Sequence, residues 1–179
     1  MKTLKMKTFF SSLFLLLLTI AAILTCNSCK KEMAEPIIEE KVPTNFAEIQ
    51  LGHIMALEPQ MSNIKITVSD ANNLNWKTGD VFVYKTSEGR YGKFEVVKID
   101  PADNFKLTLK ITNYANDGSV FLGTSSLDIR GTYLCDLDIV AETSNLTLID
   151  DFHWNRLTST NTSFEPKNGA KFVKYVFKT

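Results

Sequence analysis

Cysteine and histidine are scarce in this chain of 179 residues, which has three cysteines and two histidines. Cys26 and Cys29 lie close together near the N-terminus, whereas Cys135 stands by itself. His53 and His153 are separated by 100 residues, and zinc sites usually need three or four Cys, His or acidic ligands. The scarcity argues against a disulfide framework and against a histidine-based zinc centre.

An excess of positive charge is also missing, because 20 basic residues balance 20 acidic ones. Residues 1–28 hold three of the lysines and no acid, so the remainder carries 17 basic and 20 acidic groups. Domains that bind nucleic acids normally have an excess or a cluster of Lys and Arg. We therefore predict no nucleic-acid partner.

The longest hydrophobic run lies near the N-terminus. Three lysines within the first seven residues precede Phe9–Leu24, a stretch of 16 mostly apolar residues. A charged start, an apolar run and a short polar exit are typical of a secretory signal peptide. The run is shorter than the roughly 20 residues of a membrane-spanning helix, so an uncleaved transmembrane anchor is the less favoured alternative.

The cysteines at the end of this run indicate lipid attachment. Cys29 follows a small serine, whereas Cys26 follows a bulkier threonine, so we predict acylation at Cys29, with Cys26 as the alternative. Two or more acyl chains, such as palmitate, anchor a protein stably. Residues 28–32, Ser-Cys-Lys-Lys-Glu, resemble the signal ends of lipoproteins from the Bacteroidota phylum. The resemblance implies an outer-membrane lipoprotein and leaves its periplasmic or surface face open.

The rest of the chain divides into a tether and one domain. Residues 29–45 contain Pro36, Pro43 and several acids, a composition that buries too little apolar surface to fold. Residues 46–179 are numerous enough for a single domain with its own core. We predict a signal peptide over residues 1–28, a flexible tether over 29–45 and a β domain over 46–179.

From Phe46 onward the apolar residues alternate with a period of two, which predicts β-strands. Residues 79–99 consist of two β-branched and aromatic runs around a four-residue connection, which predicts a hairpin. Residues 106–112 alternate most cleanly. Further strands are predicted over residues 47–54, 63–68, 119–122, 127–130, 131–139, 146–149 and 172–177, and one helical turn over residues 150–155. We predict an all-β fold of about 7–9 strands, either an antiparallel sandwich or a partly closed barrel.

Four segments of this domain resemble a group of uncharacterised bacterial secreted β proteins. They are Trp76–Asp80, Tyr84–Phe94, Ile129–Asp138 and Asn168–Phe172. The resemblance implies a secreted β-domain and no known activity, so it identifies no catalytic residue.

Cationic and aromatic side chains near the hairpin are the candidates for ligand contact. Arg90, Tyr91 and Lys93 lie at or just after the hairpin tip, and loops on a rigid scaffold often carry binding residues. Trp76 and Trp154 are candidate rings for stacking a sugar or gripping a peptide, although aromatic residues also fill β cores.

Four aspartates are the candidates for a cation site or for catalysis. Asp136 and Asp138 lie two apart on the predicted strand 131–139, which places both on one face that we expect to be solvated. Asp150 and Asp151 follow downstream. Calcium prefers several oxygen ligands, but the sequence has no Asp-x-Asp-x-Asp-Gly loop. We therefore predict neither a metal nor a cofactor, and we expect Cys135 to be a core thiol.

These patterns favour a non-catalytic binding or structural module at the bacterial cell envelope. Its predicted partners are the lipid bilayer, through acylated Cys29, and a glycan, a peptide or an envelope protein. The alternative is an envelope hydrolase or a calcium-dependent β domain that uses the acids near residues 136–151. The hydrolase would pair His153 with Asp151 and a serine such as Ser159 or Ser163, yet no Gly-x-Ser-x-Gly motif specifies that arrangement.

Overall fold

Ten β-strands form within residues 41–178, the part of the chain that this computed structural model describes. In chain order they are β1 Ile66–Ser69, β2 Val81–Lys85, β3 Tyr91–Asp100, β4 Lys106–Tyr114, β5 Val120–Ile129, β6 Tyr133–Asp136, β7 Ala141–Thr143, β8 Phe152–Arg156, β9 Thr162–Pro166 and β10 Lys171–Tyr175. One short helix, α1 Leu51–Ala56, lies between 3-10 turns at Phe46–Glu48 and Glu58–Gln60. The predicted all-β fold is confirmed.

Residues 1–40 lie outside the described part of the chain. They include the predicted signal peptide, both candidate lipidation sites Cys26 and Cys29, and most of the predicted tether. Within residues 41–178, no helix has the length and apolar character needed to cross a membrane.

The strands form two antiparallel sheets of five strands each. Sheet I has the order β1-β9-β8-β6-β7, and sheet II has the order β10-β2-β3-β4-β5. The predicted hairpin is confirmed as β2 and β3, whose residues pair from Val81 with Glu95 to Lys85 with Tyr91. Neither sheet closes on itself, so the fold is an open β-sandwich rather than a barrel.

Aromatic side chains from both sheets fill the space between them. Phe82 and Phe94 of sheet II stack with ring centroids 5.1 Å apart, and Trp154 and Phe164 of sheet I face them in the same buried cluster. Trp76, which precedes β2, joins the two layers, because its ring centroid lies 4.3 Å from that of Phe82 and 5.1 Å from that of Phe164. Burial of such large rings contributes much of the stability of a β-sandwich.

The outer face of sheet II is covered by the segment that precedes β1. Phe46, Ile49 and Ile54 from this segment pack against Val81 and Val83, so β2 is buried on both faces. A strand that is buried on both sides has a continuous apolar run instead of an alternating one.

The strand predicted over residues 47–54 is wrong, because local capping makes this segment helical. The Asn45 side-chain oxygen accepts hydrogen bonds from the backbone N–H groups of Ala47 and Glu48, which starts the first 3-10 turn. The Gln50 N–H donates to Nδ1 of His53 at 3.0 Å, at the start of α1. Caps of this kind satisfy the backbone donors that a helix start leaves open.

Several predicted elements in the second half also differ from the structure. The segments 119–122 and 127–130 belong to one long strand, β5, whose pairing with β4 shifts register twice. The segment 146–149 is a loop, and the predicted helical turn at 150–155 is instead strand β8, which pairs with both β6 and β9. Strand β9 was not predicted, since Thr162–Pro166 has little apolar alternation.

Candidate functional site: an aspartate cluster under the hairpin tip

The tip of the β2–β3 hairpin lies against the loops that follow β6 and precede β8. The Ser87 backbone N–H donates to Oδ1 of Asp151 at 2.6 Å, and the Ser87 hydroxyl donates to the Ile149 carbonyl at 3.0 Å. Nε of Arg90 donates to Oδ1 of Asp138 at 2.9 Å. These three bonds join a hairpin of sheet II to loops of sheet I.

Three of the four predicted aspartates meet beneath this tip. Asp136, Asp138 and Asp151 each place one carboxylate oxygen within 4.8 Å of the others, and all three residues are buried. Asp136 and Asp138 therefore do not lie on a solvated strand face. The reason is local, because Oδ1 of Asp136 accepts the N–H groups of Asp138 and Ile139, which ends β6 at Asp136 and turns the chain.

Burial dominates the electrostatics of these carboxyl groups. It raises the pKa of Asp151 to about 7, against the opposing effect of the N–H groups of Ser87 and Leu137, while the nearby charge of Asp138 raises it further. Burial also raises the pKa of Asp136. Ionisation of Asp136 and Asp151 is therefore less favourable than in water, as expected for carboxyl groups that are crowded together and buried.

One oxygen of the cluster is left without a hydrogen bond. Oδ1 of Asp138 accepts a hydrogen bond from Nε of Arg90. Oδ2 is buried and has no hydrogen-bond partner in the described part of the chain. Because buried polar atoms are nearly always paired in folded proteins, this oxygen is an unusual feature of the site.

Asp150, the fourth candidate, is occupied elsewhere. Its carboxylate accepts hydrogen bonds from the Thr143 hydroxyl and from the Thr147 N–H and hydroxyl. The Asn168 side chain donates to the Asp150 backbone carbonyl at 2.8 Å. Asp150 therefore organises the loop between β7 and β8 and does not belong to the aspartate cluster.

Asn113 connects the loop of the cluster to sheet II. It is fully buried. Its Oδ1 accepts a hydrogen bond from the Tyr84 hydroxyl at 2.6 Å, and its Nδ2 donates one to the Leu137 carbonyl at 2.5 Å. A Cβ atom on Gly92 would lie 2.5 Å from both Tyr84 and Asn113. Only glycine leaves room for this polar contact across the sandwich.

Arg90 also reaches the surface, where it contacts a residue that the sequence analysis did not single out. Its guanidinium lies 3.9 Å from the centroid of the Phe121 ring. Phe121 is 54% exposed, between Val120 at 64% and Leu122 at 37%. The sequence signal for this patch is the run of three large apolar residues, but only the structure shows that the run faces solvent.

Tyr91 and Lys93, the other two hairpin candidates, face the N-terminal segment. The Tyr91 hydroxyl donates to the Glu58 carboxylate, which also accepts the Lys85 ammonium at 2.7 Å. The Lys93 ammonium donates to the carbonyls of Phe46 and Ile49, each at 2.6 Å. Lys93 is only 2% exposed, so its charged group secures the segment to sheet II and is not presented to an external ligand.

Burial lowers the pKa of Lys93 to about 8, with repulsion from Lys110 as a smaller cause. Between pH 8 and the unfolded value of about 10.5, the unfolded chain holds a proton that the folded chain has lost. Lys93 therefore makes the free energy of unfolding rise with pH from about pH 8. From about pH 9 upward Cys135 opposes this rise, since burial raises its pKa well above the usual value of about 9. Tyr114 opposes it near the upper end of the window, because burial raises its pKa to about 12. Urea denaturation at a series of pH values measures the effect.

The matched control for this prediction is the exposed Lys98, which pairs with Asp100. Lys93→Met is expected to abolish the rise between pH 8 and about pH 9, whereas Lys98→Met is expected to retain it. A rise of the same size in both variants would show that another group is responsible.

Trp76 and Trp154, the two predicted contact rings, lie in the core instead of at the surface. Both are buried, and Nε1 of Trp154 donates to the Phe105 carbonyl at 2.6 Å. Their faces pack against other aromatic rings, so neither is presented to an external sugar or peptide.

The groups of the alternative catalytic prediction are not brought together. Both Asp151 oxygens accept backbone N–H groups, and His153 lies beside Glu165, with 3.9 Å between Nδ1 and Oε2. Ser163 is buried and donates to Glu165. Cys135 is fully buried, as expected, and burial raises its pKa well above the usual value, which disfavours a reactive thiolate.

Comparison of the chain with protein-family models, with curated proteins and with solved structures finds no match. The resemblances of the signal end and of the four domain segments therefore stay predictions.

Proposed function

We propose that this chain is a lipid-anchored, non-catalytic binding module of the bacterial cell envelope that holds an extended segment of a partner protein along β5. The lipid anchor is Cys29, in the outer membrane, and the binding surface is the first half of β5, from Val120 to Thr124, which we name the β5 edge.

The observation that carries this proposal is the exposure of the β5 edge. Strand β5 is the last strand of sheet II, and among the described strands β4 is its only ladder partner. Val120, Phe121 and Leu122 are all exposed, although successive residues of a strand point to opposite faces. Both faces of this half-strand and its outer edge are therefore accessible.

An accessible strand edge with apolar side chains fits an extended peptide. The unpaired backbone groups of an edge strand offer hydrogen bonds to an added strand, and the side chains on either face give it apolar contacts. Proteins usually protect such edges with charged residues, proline or bulges. The sequence from Val120 to Leu127 contains no charged residue and no proline, although the pairing with β4 shifts register within it. Contiguous exposed apolar residues of this kind typically mark interaction sites.

The Arg90 side chain adds a fixed polar group to this surface. Its stacking on Phe121 and its ion pair with Asp138 hold the guanidinium at the border of the apolar patch. Such an arrangement favours a peptide whose apolar strand carries an acidic or carbonyl oxygen at this position. A stacked sugar would have only one face of the Phe121 ring available, because the Arg90 guanidinium covers the other face.

Peptide capture by membranes that carry the full chain tests both parts of the proposal. The membranes are expected to retain a subset of an extended-peptide library. Phe121→Asp is expected to weaken retention by about tenfold or more, as for a central aromatic contact. Cys29→Ser is expected to move the capture activity to the soluble fraction.

The matched control is Val97→Asp, which places the same charge at an exposed apolar position of the interior strand β3. Val97→Asp is expected to leave capture unchanged. Equal loss in both variants, or binding to a glycan array with no peptide retained, would contradict the β5-edge proposal. Membrane retention of Cys29→Ser together with release of Cys26→Ser would move the anchor to Cys26.

A further inference from the structure

We propose that Asp136, Asp138 and Asp151 bind a calcium ion between the hairpin tip and the loops that follow β6 and precede β8. This inference does not rest on the proposed peptide binding or on the lipid anchor, although Arg90 contacts both Asp138 and the β5 edge. It rests on the position of three buried carboxylates and on the unpaired oxygen of Asp138.

The three carboxylates come from two separate segments and lie close together. Asp136 ends β6, Asp138 lies in the turn that follows it, and Asp151 immediately precedes β8. Oδ1 of Asp151 accepts the Ser87 N–H, and Oδ2 accepts the Leu137 N–H at 2.7 Å. These backbone donors fix the orientation of the Asp151 carboxylate, as second-shell hydrogen bonds fix metal ligands.

The unpaired oxygen is the second observation. Asp138 is 6% exposed, and its Oδ2 is buried without a hydrogen-bond donor in residues 41–178. Leaving a buried carboxylate oxygen unpaired is costly, and no basic side chain other than Arg90 forms an ion pair with the described cluster. Three buried carboxylates with one guanidinium leave negative charge that a bound cation would neutralise.

The ligand chemistry favours calcium. The oxygens of the cluster lie within 4.8 Å of one another, which fits one Ca²⁺ because two of its ligands at 2.3–2.6 Å lie at most about 4.6–5.2 Å apart. Mg²⁺ demands near-ideal octahedral geometry and loses its water reluctantly, so a site with several protein carboxylates suits the larger Ca²⁺ better. Carboxylate ligands without nitrogen or sulfur also favour a hard cation over zinc or copper. Water completes the coordination, as in many calcium sites.

Calcium in this position would hold the two loops together next to the hairpin tip. The turn after β6 and the residue before β8 would share one ion, and Ser87 and Arg90 of the hairpin already contact two of its ligands. The ion would therefore join sheet I and sheet II at this end of the sandwich.

Isothermal titration calorimetry on the full chain, purified in detergent and stripped with a chelator, tests the proposal with CaCl₂ as the probe. We expect saturable binding of one Ca²⁺ per chain and weaker binding of Mg²⁺. Asp138→Asn keeps the shape of the side chain and is expected to weaken Ca²⁺ binding by about tenfold or more. Asp136→Asn is a second variant with the same expectation, and circular dichroism confirms that each variant is folded.

The control is Asp103→Asn, which removes an exposed carboxylate whose partner is Lys106. It is expected to bind Ca²⁺ like the parent chain. Absence of saturable Ca²⁺ binding by the parent chain would overturn the proposal. So would unchanged affinity in both cluster variants, or an equal loss of affinity in Asp103→Asn. Equal affinity for Mg²⁺ would overturn the assignment to calcium.

Discussion

Replacement of Trp154 by alanine is expected to lower the free energy of unfolding by about 3–5 kcal/mol, the usual cost of deleting a buried Trp or Phe side chain. The indole lies at the centre of the aromatic core, with its ring centroid 6.0 Å from that of Trp76. The deletion removes these contacts and leaves the Phe105 carbonyl, which accepts Nε1 of Trp154, without its donor. Because domains of this size are stable by only about 5–15 kcal/mol, the variant would be close to unfolding.

The matched control is Phe121→Ala, which removes an aromatic ring that is more than half exposed. Its free energy of unfolding is expected to stay within about 0.5 kcal/mol of the parent value, apart from the modest loss of the Arg90 contact. Urea denaturation followed by circular dichroism compares the two. A small effect of Trp154→Ala together with loss of ligand binding would instead assign Trp154 to a contact surface.

Replacement of Asp151 by alanine is expected to lower the free energy of unfolding by about 2–4 kcal/mol, even with calcium removed by a chelator. The side chain accepts the N–H groups of Ser87 and Leu137, one on each oxygen. Each donor that is left unpaired in a buried position costs about 1–3 kcal/mol. Some relief of the crowding between Asp151, Asp136 and Asp138 offsets part of this cost.

Asp151→Asn separates the two contributions, because it keeps one acceptor oxygen and removes the charge. We expect the free energy of unfolding of Asp151→Asn to lie between that of the parent chain and that of Asp151→Ala. The exposed Asp103→Ala serves as the control, since surface ion pairs such as that between Asp103 and Lys106 contribute at most about 1 kcal/mol. Equal stability of Asp151→Ala and Asp103→Ala would show that the Asp151 hydrogen bonds do not hold the hairpin tip.

The elements that were predicted correctly are those whose local pattern and tertiary environment agree. The β2–β3 hairpin combines strong β-formers with a Gly-containing turn, and β4 has a clean alternation of apolar and polar residues. Both signals are local, so they are visible without knowledge of the other sheet. The N-terminal segment was predicted wrongly because the capping side chains of Asn45 and His53 outweigh an apolar spacing that also suits a strand.

The aspartate cluster was predicted only in part, because its geometry depends on where β6 ends. Alternation along residues 131–139 placed Asp136 and Asp138 on a common exposed face. In the structure the Asp136 side chain caps a turn, and the turn carries Asp138 into the interior. Side-chain capping of this kind competes with strand extension, and alternation does not detect it.

The sequence by itself determined the all-β class and the central hairpin. These properties follow from composition and from patterns that extend over a few residues. Only the tertiary structure decided that Trp76 and Trp154 are core residues, that Phe121 is exposed and that three aspartates meet. The aspartates meet where Arg90 contacts Asp138 and Ser87 contacts Asp151, and these pairs are 48 and 64 residues apart in sequence. Such distant pairs form through the packing of the two sheets, which no short stretch of sequence encodes.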